Sequence, residues 1–541
     1  MRFKILAFFC LGTVYCFGFD LLKDMSLEEK VGQILMVHFH GETINDDAKT
    51  LVQDVKVGSI IYYNWSNGLT SPDQVQDLSA GLQQLAKENR IPLPLLIAAD
   101  QEGGVVARLQ SGFTSFPGNR ALGETSDPNL AEASAYAMGQ ELQAVGINMN
   151  LAPVVDVNSN PRNPVIGVRS FGDDPKTVIA FGKKSLSGFK LAEVVATLKH
   201  FPGYGDVAVD PHEDLPIIRK SKAELERVEL LPFAKLASSA DAIMTAHILV
   251  PALDPDNCST LSEKTLGYLR NVIGFQGVIV ADSLMMDGVL KKCHSVDEAS
   301  IAALNAGCDL LILGGKLLVG EHTGFELTTD DVQRIHSSIV KAVKNGRVAE
   351  EKLDRAVERI LRLKERYLNS KNFNSTSADL REKVDTLEHR ELARKIASLA
   401  LQIQEKEAHK IAHLSDLKIF IVAPAILQTT VQNTSLFKIG KSVGSCFFNS
   451  LNPSSAEVEM VKKQAKMADV IIVCSYNAWQ NPSAMALNQS LLRTTKPVIV
   501  LSVRDPLDAS FFSDADLVFT SFSPTVPSLQ AICDQLAEKY K

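Results

Sequence analysis

The sequence predicts an α/β protein, namely a (β/α)8 barrel of the TIM type followed by a smaller C-terminal α/β sandwich domain. Short apolar runs rich in β-branched residues alternate along the chain with longer amphipathic stretches, a pattern typical of repeated βα units. Eight such runs precede residue 320, and eight parallel strands close a barrel of this type. At 541 residues the chain also exceeds the size of one ordinary hydrophobic core, so a second module is expected.

The predicted barrel begins with a helix and continues through eight strands. Ser26 and Glu29 have the spacing of a capping box, and Leu27 and Val31 repeat at helical spacing. A long amphipathic helix over residues 345–367 follows the last strand. The strands are predicted over residues 35–40, 57–64, 95–102, 148–157, 194–201, 242–250, 277–283 and 309–314.

The chain divides into four parts. Residues 1–19 are predicted to be a signal peptide or N-terminal anchor and 20–368 the barrel, while 369–410 form a polar linker with a connecting helix and 411–541 form the sandwich domain. In this last domain we predict buried strands over residues 418–423, 470–474, 498–502 and 517–521.

The N-terminus predicts export. Arg2 and Lys4 give a basic start, and the apolar stretch over residues 5–18 is too short to span a membrane comfortably. We therefore expect a periplasmic or cell-envelope protein, with any membrane association confined to this segment. A retained anchor is an alternative because no clean small-x-small cleavage site follows, and a leader that does not function would leave the protein cytoplasmic.

Composition excludes some classes of partner. The formal net charge is -7, with 56 Lys and Arg against 63 Asp and Glu, and the charges are interspersed rather than gathered into a basic stripe. A nucleic-acid partner is therefore not expected. Two of the 8 cysteines lie in the leader, and the other six are scattered without a zinc spacing or a disulfide framework.

Several predicted strands end in charged or polar residues. Asp100, the pair Lys199 and His200, His247 and Asp282 each close an apolar run. In a (β/α)8 barrel the carboxyl ends of the strands form the rim that carries active sites, and turn chemistry has no particular use for Lys or His. These residues are therefore candidates for a site at one rim.

The loop after the fifth strand adds a second signal. It runs from Lys199 to His212 and places Asp210 two residues before His212. A carboxylate that holds an imidazole fixes its tautomer and basicity, which makes the pair a tuned proton donor and acceptor.

These motifs resemble those of glycoside hydrolase family 3, in the NagZ-like branch of β-N-acetylglucosaminidases. The segment Lys-His-Phe-Pro-Gly-Tyr-Gly-Asp-Val-Ala-Val-Asp-Pro-His-Glu-Asp-Leu-Pro at 199–216 looks like the signature loop of that branch. Four further segments match in the same order, at residues 99–108, 163–172, 244–247 and 277–286. The resemblance covers roughly residues 25 to 370, and the trailing region resembles the second domain that many members carry.

The resemblance implies a role for each matched residue. Retaining glycosidases pair a nucleophilic carboxylate with an acid/base about 5 to 5.5 Å away, and in this branch the acid/base is a His supported by an Asp. Asp282 is then the nucleophile, His212 the acid/base and Asp210 the residue that orients His212. The residues implied to hold the sugar are Asp100, Arg108, Arg169, Lys199 and His200.

Structural alternatives exist for some of these residues. Arg108 could instead pair with Glu102 across the rim, Arg169 could brace its loop through Asp173 or Asp174, and His247 could be a core histidine, so we leave His247 outside the site.

The sequence departs from the usual family pattern in three places. Tyr204 stands where a His is common, Ala281 stands where a Ser precedes the nucleophile, and Pro211 replaces a small hydroxyl residue. Pro211 matters most because it fixes its own backbone and favours extended geometry at Asp210.

The implied function is a retaining exo-β-N-acetylglucosaminidase that releases terminal β-linked N-acetylglucosamine from peptidoglycan fragments or related glycans. The expected partner is this carbohydrate, no cofactor or metal is implied, and the oligomeric state stays open. The alternatives are a phosphorylase on the same site, a metal-dependent hydrolase and a non-catalytic glycan-binding envelope protein. The metal-dependent alternative would use His200, Asp210, His212 and His247.

The second domain is expected to form one wall of the active-site cleft or only to pack against the barrel. Glu457 or Glu459 is nominally available as an acid/base from that domain, as in relatives that lack the Asp-x-His loop.

Overall fold

The computed structural model describes residues 17–209, 215–317, 323–368, 377–411 and 413–540. The predicted dyad of Asp210 and His212, and residues 1–16 of the predicted leader, lie outside the described residues.

Eight parallel strands close a barrel, which confirms the predicted fold. Each strand pairs with its neighbours in chain order, and β1 pairs with β8 to complete the ring. The strands are β1 Leu35–Val37, β2 Ser59–Ile61, β3 Leu96–Ala99, β4 Met149–Asn150, β5 Val195–Phe201, β6 Ala242–Thr245, β7 Val278–Ala281 and β8 Leu310–Ile312.

The barrel strands form because most of their side chains, on both faces, are apolar. Every residue of the eight strands is buried, as expected for a parallel sheet with side chains inside and helices outside. The predicted runs extend past the hydrogen-bonded ladder at their carboxyl ends, because the chain stays buried as it enters the rim loops. A short antiparallel hairpin of Gln101–Gly103 and Val106–Ala107 follows β3 at this rim.

Helices surround the barrel. The capping box predicted at Ser26 is present, since its side chain accepts from the Glu29 N–H and the Glu29 side chain accepts from the Ser26 N–H. The helices of this part are α1 Phe17–Asp24, α2 Leu27–Gln33, α3 Asp46–Lys49, α4 Asn64–Asn67, α5 Pro72–Lys87, α6 Asn119–Glu124, α7 Pro128–Ala144, α8 Pro175–Leu191, α9 Lys222–Arg227, α10 Leu230–Leu236, α11 Glu263–Gly267, α12 Asp287–Cys293, α13 Val296–Ala306, α14 Thr329–Lys344 and α15 Glu350–Leu368.

A six-stranded sheet forms the second domain. Its strands are β9 Gln402–Glu405, β10 Lys418–Pro424, β11 Ser442–Phe448, β12 Val470–Ser475, β13 Val498–Ser502 and β14 Leu517–Thr520. The order is β9-β14-β13-β12-β10-β11, and only β9 is antiparallel to its neighbour. The helices that follow the barrel are α16 Ser377–Lys383, α17 Leu387–Ala400, α18 Gln428–Gln432, α19 Ser455–Ala465, α20 Pro482–Leu492 and α21 Val526–Lys539, and the first of them, α16, packs against α5 and α7 of the barrel.

Two edge strands correct the sequence prediction. β9 lies inside residues 369–410, which were assigned to a linker and connecting helix, and β11 has no counterpart among the predicted strands. Both edges are only partly covered, so their sequences lack the continuous apolar run that marks the four central strands. The second sheet therefore begins before residue 411.

Helix α17 ties the two parts together. It packs against α6 and α7 of the barrel and against α21 of the second domain. At the barrel side, the His389 Nδ1 lies 2.8 Å from the Glu141 Oε1, and both side chains are largely buried. None of the described helices is long and apolar enough to cross a bilayer.

Candidate active site

A network of opposite charges occupies the rim beside β3 and β5. The Lys199 Nζ lies 2.8 Å from the Asp100 Oδ1 and 2.7 Å from the Glu102 Oε1. Lys199 is on β5, Asp100 directly follows β3, and Glu102 is in the hairpin beyond it. Only 2% of the Lys199 side chain is exposed, so its charge depends on these two carboxylates.

Two arginines extend this network. Arg169 donates from Nε and Nη2 to the two oxygens of Glu102 at 2.9 and 2.8 Å, a bidentate pair. The Arg108 Nη2 lies 3.4 Å from the Asp100 Oδ2, and the guanidinium lies 5.5 Å from the centre of the Tyr63 ring. Arg108 thus pairs with Asp100 rather than with Glu102, and Arg169 with Glu102 rather than with Asp173 or Asp174.

The opposite charges in this network keep its carboxylates and cations ionised. Burial alone would raise the pKa of Asp100, but Lys199 and Arg108 outweigh it and hold that pKa well below its usual range. Burial likewise acts to raise the pKa of Glu102, which Arg169 and Lys199 nevertheless lower to about 2. The same carboxylates raise the pKa values of Lys199 and Arg169 against the effect of burial. All of these groups are charged at neutral pH.

His200 is held by a carboxylate that the sequence did not single out. Its Nδ1 lies 2.7 Å from the Oδ2 of Asp156, which is fully buried. The other oxygen of Asp156 accepts from the backbone N–H groups of His200 and Tyr204 at 3.2 and 2.7 Å. The His200 Nε2 lies 3.4 Å from the Arg169 Nη2, which can only donate, so Nε2 accepts and Nδ1 donates to Asp156. His200 thereby joins Arg169 to the base of the signature loop.

Asp282 stands on the opposite side of the rim, directly after β7. Its backbone N–H donates to the Thr245 Oγ1 at 3.3 Å, and its Oδ1 accepts from the Ser283 N–H at 2.7 Å. Across the described part of the chain, no lysine or arginine forms an ion pair with this carboxylate. Asp282 is partly exposed, so its carboxylate reaches the space above the barrel.

A hydrogen-bond network of threonine hydroxyls and a histidine supports the Asp282 segment. His247, which is fully buried, lies with Nε2 2.8 Å from the Ser283 carbonyl and with Nδ1 2.8 Å from the Thr260 Oγ1. The carbonyl can only accept, so Nε2 carries a proton and donates it to the Ser283 carbonyl. The Thr260 Oγ1 also lies 2.8 Å from the Thr245 Oγ1. His247 is thus a buried histidine, as the structural alternative proposed, and it positions the Asp282 segment.

Two tyrosines lie close enough to Asp282 to be affected by its charge. Burial raises the pKa of both Tyr63 and Tyr204 well above the usual range, and the Asp282 carboxylate raises both further. Each phenol is therefore protonated at neutral pH. Tyr204, one of the three departures from the family pattern, is 1% exposed and packs edge-on against the His200 ring at 5.3 Å between centroids.

The second domain approaches the rim near two glycines. The Ser523 Oγ is 3.6 Å from the position that a Cβ would take at Gly104, in the hairpin loop. The Asp505 Oδ2 is 3.6 Å from the corresponding position at Gly167, in the turn that carries Arg169. These contacts place the second domain against the loops that hold the charged network.

Glu457 and Glu459 are engaged within the second domain. Glu457 caps α19 through Ser454, and Glu459 lies 3.4 Å from the Lys462 Nζ. Asp210 and His212 lie outside the described residues, which end at Val209 and resume at Leu215. Among the described candidates, the structure brings Asp100, Arg108, Arg169, Lys199 and His200 together and sets Asp282 across the rim.

The closed barrel and its polar rim define a TIM-barrel enzyme whose site suits a ligand with many hydroxyl groups. Residues 26–363 match the family described as "Glycosyl hydrolase family 3 N terminal domain", and the chain belongs to that family.

Relatives support this assignment. The chain is 36% identical over 343 residues to "Beta-hexosaminidase A" of Pseudoalteromonas piscicida, a match that covers 60% of this chain and 55% of the relative. It is 33% identical over 305 residues to "Beta-hexosaminidase" of Pseudomonas aeruginosa, covering 56% of this chain and 86% of the relative. The chain thus spans little more than half the length of the Pseudoalteromonas relative.

A solved structure resembles nearly the whole chain. It is the glycoside hydrolase family 3 beta-N-acetylglucosaminidase from Paenibacillus sp. str. FPU-7, with 34% identity and a TM-score of 0.86. The similarity covers 96% of this chain and 97% of the Paenibacillus chain, so both the barrel and the second domain have counterparts there.

Proposed function

We propose that this protein is a retaining exo-β-N-acetylglucosaminidase that releases terminal β-linked N-acetylglucosamine from peptidoglycan fragments or related glycans. The observation that carries the proposal is the placement of Asp282 at the carboxyl end of β7, partly exposed and without a described cation on its carboxylate. A carboxylate used as a nucleophile must reach the anomeric carbon, and a bound cation would weaken its attack.

The proposed reaction has two steps. In the first, an Asp282 carboxylate oxygen bonds to the anomeric carbon while the glycosidic C–O bond breaks, and His212 gives its proton to the leaving oxygen. In the second, His212 takes a proton from water, the water oxygen bonds to the anomeric carbon, and the bond to Asp282 breaks. Asp210 orients His212 and offsets its positive charge in the protonated state.

The charged network is proposed to hold the terminal sugar. Asp100 and Glu102 account for two of the three N–H donors of Lys199. The Arg108 Nε is buried and has no hydrogen-bond partner among the described residues. Asp100 offers acceptor oxygens and these cations offer donors on rigid strand ends, which is the pattern that a polyhydroxyl ligand requires. His200 is proposed to act indirectly, by orienting Arg169.

The preference for an N-acetylated sugar rests on two supports. The Asp-x-His arrangement of Asp210 and His212 resembles the NagZ-like branch, and the Paenibacillus protein, similar over 96% of this chain, is named a beta-N-acetylglucosaminidase. Export to the periplasm or cell envelope is proposed from the basic and apolar N-terminus, and it would bring the enzyme to peptidoglycan.

Chromogenic β-N-acetylglucosaminides and β-glucosides, assayed side by side, test the proposal. We expect the wild type to prefer the N-acetylated sugar, and His212→Ala to lose most activity on substrates with poor leaving groups, which need a proton donor. His409→Ala replaces an exposed histidine of the second domain and is the matched control, expected to behave as the wild type. Equal rates on both sugars, or no loss in His212→Ala on a poor leaving group, would contradict the proposal.

The same assay in phosphate buffer separates hydrolysis from phosphorolysis. Release of free N-acetylglucosamine supports the hydrolase, whereas release of the sugar 1-phosphate would identify a phosphorylase.

A further inference from the structure

A second cluster of polar side chains lies at the seam where the barrel closes. His38 and His40 follow β1, and Glu326 and Lys316 follow β8, the strand paired with β1. The His40 Nε2 lies 2.7 Å and the His38 Nε2 lies 3.5 Å from the same oxygen, the Glu326 Oε2. Three side chains from two neighbouring loops thus converge on one point.

His38 is buried without a hydrogen bond. Its side chain is 1% exposed, and neither ring nitrogen has a hydrogen-bond partner among the described residues. Buried polar groups are nearly always paired, so an unpaired buried imidazole calls for an explanation.

The spacing of the three groups suits a small cation. The ligand atoms of His38, His40 and Glu326 all lie within 4.8 Å of one another. A tetrahedral Zn²⁺ ion with bonds of about 2.0 to 2.2 Å holds its ligand atoms about 3.3 Å apart. The 3.5 Å separation already matches this value, and the 2.7 Å separation needs to open by less than about 1 Å.

The surroundings would orient such a site. The Lys316 Nζ lies 2.7 Å from the other oxygen of Glu326, which leaves Oε2 directed at the histidines. The Trp65 ring packs 5.0 Å from the His38 ring and 5.7 Å from the His40 ring, between centroids. Partners of this kind fix ligand orientation in metal sites, although the Lys316 charge also opposes a cation and moderates its affinity.

We propose that His38, His40 and Glu326 bind a divalent first-row transition cation, with Zn²⁺ as the preferred ion. Two imidazoles and one carboxylate suit Zn²⁺, whereas Mg²⁺ and Ca²⁺ favour oxygen ligands alone. The ion would join the loop after β1 to the loop after β8 and so lock the barrel seam. The site is separate from Asp282, and Tyr63, which stacks on Trp65 at 4.9 Å, lies beside both.

Calorimetric titration of the full-length, chelator-treated protein with Zn²⁺ tests the proposal. We expect one site that is weakened at least about 100-fold in His40→Ala and in Glu326→Gln, because loss of a supporting partner alone costs 10- to 100-fold. Neither substitution empties a fully buried position, so both variants should fold. His409→Ala is the matched control and should bind as the wild type does.

Thermal unfolding gives an independent readout. Zn²⁺ at about 100 times its dissociation constant should raise the Tm of the wild type by about 2 to 4 °C and leave Glu326→Gln unshifted. Absence of Zn²⁺ binding to the wild type would overturn the proposal. Binding that survives unchanged in both variants would also overturn it, as would an equal Tm shift with Mg²⁺.

Discussion

The two sides of the barrel rim are built from different chemistry. Beside β3 and β5, Lys199 and Arg169 meet Asp100 and Glu102 in a closed network of ion pairs. Beside β6 and β7, which we call the neutral side because it has no described ion pair, the Asp282 carboxylate accepts from the Ser283 N–H and the Asp282 N–H donates to the Thr245 hydroxyl. A binding surface gains from fixed, mutually neutralised charges, whereas a nucleophile must keep its own charge available.

The two sides should also differ in their contribution to stability. Breaking a buried ion pair leaves an uncompensated charge, which costs about 3 to 5 kcal/mol. Removing a charge that no cation neutralises costs little. Substitutions on the charged side should therefore reduce both folding and activity, and those on the neutral side should reduce activity alone.

The largest effect is expected from Asp282→Asn. We expect kcat to fall by about 10⁴-fold or more, because the amide cannot form the glycosyl ester, while the free energy of unfolding stays near that of the wild type. Steady-state kinetics and chemical denaturation measure the two quantities. Asp287→Asn, in the first turn of α12, is the control. A kcat within about 10-fold of the wild type would refute the assignment of the nucleophile.

Lys199→Met should disrupt the network of ion pairs on the charged side. Asp100 and Glu102 would lose a shared cation, so we expect about 3 to 5 kcal/mol of destabilisation and a loss of about 10³-fold in kcat/KM. Lys184→Met removes a more exposed ion pair with Glu132, at 2.9 Å, and should cost less than about 1 kcal/mol. A similar loss of unfolding free energy in the two variants would show that the charged network contributes no more to stability than an exposed ion pair does.

The contribution of Glu102, on the charged side, to stability should depend on pH. Glu102 has a pKa lowered to about 2 in the folded protein, below the value of about 4.5 expected when unfolded. Its contribution to stability is thus complete above about pH 4.5 and is lost as the pH falls towards about 2. Wild type and Glu102→Gln should differ by about 2 to 3 kcal/mol at pH 6, and by less at pH 3. A gap that stays constant in denaturation curves across this range would contradict the lowered pKa.

The smallest effect is expected from Thr245→Val on the neutral side. The Asp282 N–H loses its acceptor, so kcat should fall about 10-fold with little change in KM. Thr197→Val is a close control, because the Thr197 hydroxyl is buried on β5 without a hydrogen-bond partner in the described structure. Equal losses in the two variants would mean that packing, and not the hydrogen bond, is responsible.

The barrel could be predicted from the sequence because buried parallel strands are mostly apolar and rich in β-branched residues, as in Val278–Ala281. The edge strands Gln402–Glu405 and Ser442–Phe448 could not, because one face or one edge of each is solvated and the apolar run is interrupted. Strands that are buried on both faces can therefore be predicted from the sequence, whereas partly solvated edge strands cannot.

Sequence predicted which residues reach the rim but not which of them pair. Arg169 meets Glu102 across 67 positions, a contact that depends on the relative placement of two loops. Asp156 was missed although it is a single carboxylate in an apolar run, a pattern that signals a buried partner. It holds the His200 ring, whose other nitrogen lies 3.4 Å from the Arg169 Nη2, and this contact is the basis for proposing that His200 positions Arg169.

The most direct test of the account is to trap the glycosyl-enzyme. An activated fluorosugar analogue of N-acetylglucosamine should accumulate as an ester on the enzyme, and peptide mapping by mass spectrometry should place it on Asp282. Asp282→Asn should carry no label. A label on another residue, or a product whose anomeric configuration is inverted, would contradict the account.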